Sequence, residues 1–125
     1  MILDTNALSA NADGDASIGS VVMAARGIEI PVVVLGEYRY GLAHSSRRIE
    51  HEEWLERFIA DCRVLDITEE TSRVYAEIRS QLRTTGTPIP ANDIWIAALA
   101  RQHGLAVLSR DAHFDRVPGI DRVSW

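Results

Sequence analysis

The chain has 125 residues and a formal net charge of −5, a size that suits one domain spanning residues 1–125. No apolar run reaches the roughly 20 residues of a membrane span, and the single cysteine, Cys62, excludes an internal disulfide and fits a reducing compartment. The acidic balance excludes a strongly basic nucleic-acid binder.

In chain order, Leu3 and its neighbours read as a short strand that ends at Asp4. Asn11 to Asp15 reads as a turn, without the glycine and glutamate placement of a calcium loop. Ser17 is expected to cap a helix running to about Arg26, and Gly27 to stop it. Ile28 to Val32 is β-branched and reads as a second strand. From Val33 the apolar spacing turns helical, with Val34, Leu35, Tyr38 and Leu42 on one face and Glu37 beside it. Ser45 or Ser46 restarts a helix that points Ile49, Leu55, Phe58 and Ile59 inward.

Cys62 to Ile67 reads as a third strand, and Thr68 as the cap of a helix with Glu69 and Glu70 in its first turn. Val74, Tyr75, Ile78 and Leu82 form its inward stripe. Gly86, Pro88 and Pro90 make Thr84 to Ala91 a loop leading to a helix from Asn92-Asp93 to His103, which Gly104 ends. Leu105 to Leu108 is a buried strand, and Ile120 to Trp125 an edge strand. Strands alternating with helices argue for an α/β fold with a mainly parallel sheet, whose ligands bind beyond the carboxyl ends of the strands.

Asp4, Glu37, Asp93 and Asp111 each fall at a strand end or an early helical turn. Brought to one sheet edge, four carboxylates repel each other unless a cation joins them. Oxygen ligands select hard cations, Mg2+ with Mn2+ as the second choice, so metal-assisted phosphodiester hydrolysis is the first chemistry to consider. Taken singly three have an ordinary explanation, Asp4 and Asp93 as helix-terminal residues and Asp111 as a loop residue; Glu37 has a weaker one, because a glutamate bordering a buried face wants a partner. Asp115 is a fifth candidate ligand if its segment turns helically, and Asn6 and Ser109 are polar neighbours able to hold a carboxylate. The histidines show no metal-ligand spacing; His113 lies near Asp111 but reads as a surface residue. No phosphate-binding glycine loop or nucleophile elbow occurs. All 13 cationic side chains are arginines, which suit bidentate phosphate contacts, although composition bias is the commoner reason. Arg39 and Arg110 are the candidates for substrate contact by proximity.

Four segments carry a resemblance. Ile2-Leu3-Asp4-Thr5-Asn6, Gly36-Glu37-Tyr38-Arg39-Tyr40-Gly41, Asn92-Asp93-Ile94-Trp95-Ile96-Ala97-Ala98 and Leu108 to Gly119 resemble, in order, the acidic motifs of PIN domains. Their spacing is similar to that of VapC-type toxins. The resemblance implies a PIN-like three-layer α/β/α sandwich and a Mg2+- or Mn2+-dependent endoribonuclease whose products carry 5′-phosphate and 3′-hydroxyl ends. It implies Asp4, Glu37, Asp93 and Asp111 as the acidic site, with Asn6 and Ser109 in support and Asp115 less regular. It further implies RNA as substrate, a homodimer, and a VapB-like antitoxin that blocks the site. Together with the absence of a signal-like N-terminus, this places the expected location in the cytoplasm.

Two other readings stand beside it. A haloacid-dehalogenase-like phosphatase also opens with an aspartate after its first strand, but it needs a second aspartate where Asn6 stands, and a lysine this chain lacks. A non-catalytic protein-binding module could use the carboxylates for a structural metal.

Overall fold

The computed structural model describes residues 1–125. Five strands, β1 (Ile2–Leu3), β2 (Glu29–Pro31), β3 (Arg63–Leu65), β4 (Val107–Leu108) and β5 (Arg122–Val123), form one sheet in the order β3-β2-β1-β4-β5. Every pairing is parallel. Six helices cover the sheet to give three α/β/α layers: α1 (Thr5–Ala12), α2 (Ala16–Ala24), α3 (Val32–Leu42), α4 (Arg48–Ile59), α5 (Glu69–Thr85) and α6 (Ala91–His103). A 3₁₀ turn at Ala112–Arg116 precedes β5.

The strands are short, and burial is deepest at the centre of the sheet, where β1 and β4 are buried along their whole length. Ile2, Leu3, Ile30, Val107 and Leu108 are fully buried, as apolar runs in a sheet covered on both sides must be. The chain moves outward from β1 through β2 to β3, then returns past β1 to lay down β4. The strand order therefore reverses between β1 and β4, the place where parallel α/β sheets open a crevice at their carboxyl edge.

Several boundaries differ from the sequence reading. Helix α1 was not expected: Asp4 caps it by accepting from the Thr5 N–H at 2.8 Å, and the helix absorbs part of the anticipated turn. Asp15, not Ser17, caps α2, accepting from the Ser17 N–H at 2.9 Å, and this helix ends at Ala24. Helix α4 begins only at Arg48, because Ser45 Oγ first accepts from the Arg47 N–H at 3.1 Å in a turn. Ile49 thereby falls in its first turn and is 76% exposed instead of inward, while Leu55 is fully buried.

The α3 face is as expected, with Val34, Leu35, Tyr38 and Leu42 all buried. Thr68 caps α5 reciprocally with Thr71. Gly86 and Gly104 end α5 and α6 in the left-handed region, at φ 67° and 66°, where a side chain costs roughly 1–2 kcal/mol.

Helix α6 is the central support, with Ile94 and the run Ile96 to Ala100 all buried. Leu99 is fully enclosed, and Leu99→Ala is expected to lower stability by about 2–5 kcal/mol through lost burial and a residual cavity. Urea unfolding checks it: the midpoint should fall with an unchanged m-value.

Candidate metal centre

The register of the two central strands builds the site. Ile2 pairs with Val107 and Leu3 with Leu108, so the next residues on each strand, Asp4 and Ser109, emerge side by side. Ser109 Oγ donates to Asp4 Oδ2 at 2.7 Å. Both residues are buried. Asn6, in the first turn of α1, donates from Nδ2 to the same Asp4 oxygen at 2.8 Å and to Ser109 Oγ at 3.1 Å. With the Thr5 N–H on Oδ1, the Asp4 carboxylate has three donors and one fixed orientation.

The other carboxylates arrive from three further elements. Glu37 projects from α3, where Thr5 Oγ1 donates to its Oε2 and Asn92 Nδ2 to its Oε1 at 2.7 Å. Asp93 lies in the first turn of α6, where the helix dipole favours negative charge. Asp111 caps the 3₁₀ turn after β4 by accepting from the His113 N–H at 2.9 Å, while its own N–H donates to Ser109 Oγ at 2.9 Å. Asp4, Glu37, Asp93 and Asp111 line one open depression of about 600 Å³, together with Thr5, Asn6, Ser9, Tyr40 and Asn92.

The electrostatics of this depression are unfavourable as they stand. Burial pushes the Asp4 carboxyl above the ordinary carboxylate value, and the charges of Asp93 and Glu37 push the same way, against the Ser109 and Thr5 hydrogen bonds. Asp93 is also raised, first by burial and then by Asp111 and Glu37, with His113 opposing. Oxygen donors crowded this way suit a hard divalent cation, which would relieve both the repulsion and the desolvation. Asp93, Asp111 and His113 offer ligand atoms that all lie within 4.8 Å of one another.

His113, Asn92 and Thr5 are the residues that the sequence reading missed. For His113 the available signal was the Asp-x-His spacing. An aspartate often caps a turn by accepting the N–H two residues on, as Asp111 does here from His113.

Three expected residues are placed elsewhere. Asp115 is held by Arg122, whose Nε and second guanidinium nitrogen each donate at 2.8 Å; this bidentate pair occupies both carboxylate oxygens, and Asp115 does not line the depression. Arg39 follows Glu37 by two residues, about 200° around the helix, and faces α4, donating to Glu56 at 3.0 Å. The Arg110 guanidinium lies over the Trp125 ring at 4.4 Å and 3.7 Å from Asp15. Only its backbone N–H turns inward, to Asn6 Oδ1 at 3.2 Å. Sequence proximity misleads in both cases because consecutive residues point to different sides.

The family model described as PIN domain matches residues 1–120. The chain is 34% identical over 101 residues to ribonuclease VapC4 of Mycobacterium tuberculosis, covering 76% of this chain and 75% of that one. It is 30% identical over 125 residues to ribonuclease VapC5 of the same organism, covering 98% and 90%. Among solved structures, the DNA-bound VapBC complex of Salmonella typhimurium contains a chain that superposes with a TM-score of 0.87 at 28% identity, covering 99% of this chain and 96% of that one. With its acidic residues gathered at the β1–β4 edge of a parallel sheet, this chain belongs to the PIN domain family, among the VapC-type proteins.

Proposed function

We propose that this protein is the endoribonuclease toxin of a toxin–antitoxin pair and cleaves RNA with Mg2+, or Mn2+ in its place, held at the acidic depression. The observation that carries this reading is the convergence of Asp4, Glu37, Asp93 and Asp111 on one open surface at the switch point of the sheet. The ribonuclease names of the VapC relatives support the reaction class. The phosphatase alternative is not favoured: the PIN match runs through residue 120, and Asp4, with a donor on each oxygen, is poorly free to act as a nucleophile.

In this reading Asp4, Asp93 and Asp111 are the ligands, and Asn6 and Ser109 orient Asp4. The cation supplies charge neutralisation at the phosphate and acidity to an attacking water. Glu37, fixed by Thr5 and Asn92, is free on the depression side to accept a hydrogen bond from that water and aim it at phosphorus. No side chain becomes covalently attached. Asp115 is left out of the ligand set because Arg122 occupies it. Tyr40 is 75% exposed at the rim of the depression and offers a ring on which an unpaired base can stack. An open depression of this kind suits single-stranded or looped RNA.

A VapB-like antitoxin is the expected partner, supported by the VapBC complexes among the structural relatives. A homodimer and a cytoplasmic location complete the proposal; no helix is long and apolar enough to cross a membrane. The test is cleavage of a mixed RNA pool by the purified chain. Cleavage should require Mg2+ or Mn2+ and stop in EDTA, and cleavage that persists in EDTA would refute the metal-dependent reading.

A further inference from the structure

We propose that His113 is itself a metal ligand and makes the centre favour Mn2+ over Mg2+. The proposal rests on the reading of the acidic depression as a metal centre and adds a nitrogen donor beside two of its lining carboxylates, Asp93 and Asp111. The placement of one atom carries the argument. His113 Nδ1 lies 3.0 Å from Asp93 Oδ2 and 3.1 Å from Asp111 Oδ2. Neighbouring donors around an octahedral cation with bonds of about 2.1 Å stand roughly 3 Å apart. The nitrogen is therefore already spaced from both carboxylate oxygens as a third ligand would be.

The backbone fixes this position. Asp111 Oδ1 accepts from the His113 N–H at 2.9 Å, which closes a turn at the start of the 3₁₀ segment and leaves Oδ2 facing the imidazole. Phe114, the next residue, is buried and anchors the turn against the core. His113 is about one-third exposed on its side chain, so the ring is held yet reachable. The same nitrogen stands between two carboxylates drawn from separate elements, Asp93 of α6 and Asp111 after β4.

The consequence is selectivity. First-row transition-metal ions accept an imidazole nitrogen, Mn2+ the most weakly of them, whereas Mg2+ prefers oxygen and keeps its waters. A centre of carboxylates alone discriminates weakly between the two ions; one that includes an imidazole binds Mn2+ preferentially.

Electron spin-echo envelope modulation on the purified chain loaded with Mn2+ reads ligation without any assay of activity. Nitrogen-14 modulation from imidazole is expected in the wild type and should vanish in His113→Ala. Calorimetric titration should show Mn2+ affinity falling roughly tenfold or more in His113→Ala, with Mg2+ affinity changed about twofold at most. His113→Gln, which keeps a polar side chain, guards against a folding artefact and should behave like His113→Ala. Bound Mn2+ without nitrogen modulation, or modulation that survives in both variants, would overturn the role of His113 and leave the carboxylate centre standing. No bound Mn2+ at all would overturn the metal-centre reading and this proposal with it.

Discussion

Asp93→Asn is expected to reduce metal-dependent RNA cleavage by about a thousandfold or more while leaving the fold intact. The magnitude follows from what a bound cation contributes. Charge stabilisation by a metal is worth several kcal/mol in the transition state, and about 4 kcal/mol corresponds to a thousandfold in rate. Asp93 sits where the first turn of α6 meets the 3₁₀ turn after β4, with His113 at 3.0 Å and Asp111 close enough to act on its ionisation. The amide keeps the shape of the carboxylate but removes the charge that a hard cation requires.

The metal-free fold should tolerate the change. Burial and the Asp111 and Glu37 charges already disfavour the ionised form of Asp93, so replacing it relieves repulsion while weakening the His113 contact. Melting in EDTA should therefore stay within about 1 kcal/mol of wild type. The stabilisation that Mg2+ or Mn2+ confers on the wild type should largely disappear, since a ligand stabilises only the state that binds it. Cleavage at the wild-type rate by Asp93→Asn would remove this residue from the site and place the activity elsewhere, or in a contaminating nuclease.

The contrast between what the sequence announced and what it hid has a physical pattern. The α/β class, the parallel sheet and the inward faces of α3 and α5 were legible because burial imposes a period on apolar residues. Asp4, Glu37, Asp93 and Asp111 were legible as one cluster because each stands at a strand end or in an early helical turn, and α/β topology brings strand C-termini and helix N-termini to one edge. Helix α1 was hidden because the residue that caps it, Asp4, is also a candidate ligand, and its sequence TNALSANA has only a weak apolar face. His113 was hidden because its contact to Asp93 spans 20 residues and depends on a turn that periodicity does not mark. Arg39, Arg110 and Asp115 stand outside the depression for the opposite reason: closeness along the chain is not closeness in space. In this fold one step past a strand end, or two along a helix, redirects the side chain.

Ser109→Ala should separate ligand positioning from ligand charge. The Ser109 hydroxyl donates to Asp4 and accepts from Asn6 Nδ2 and the Asp111 N–H; one buried oxygen thus ties together the two strand ends that carry acidic residues. Its removal leaves Asp4 buried with one donor fewer and leaves the Asp111 N–H without its acceptor. A buried polar group stranded in this way costs about 1–3 kcal/mol, so the melting temperature should fall even in EDTA. For the metal, loss of a group that orients a ligand typically weakens affinity by about 10–100-fold. The two effects distinguish this variant from Asp93→Asn. All the charges of the site survive in Ser109→Ala, so raising the Mg2+ or Mn2+ concentration should restore most of the cleavage rate, whereas no concentration should rescue Asp93→Asn. A metal titration of single-turnover cleavage reads the difference directly. An unchanged half-saturating metal concentration in Ser109→Ala would mean that Asp4 needs no such support, and the hydrogen-bonded bridge between β1 and β4 would then serve the fold alone.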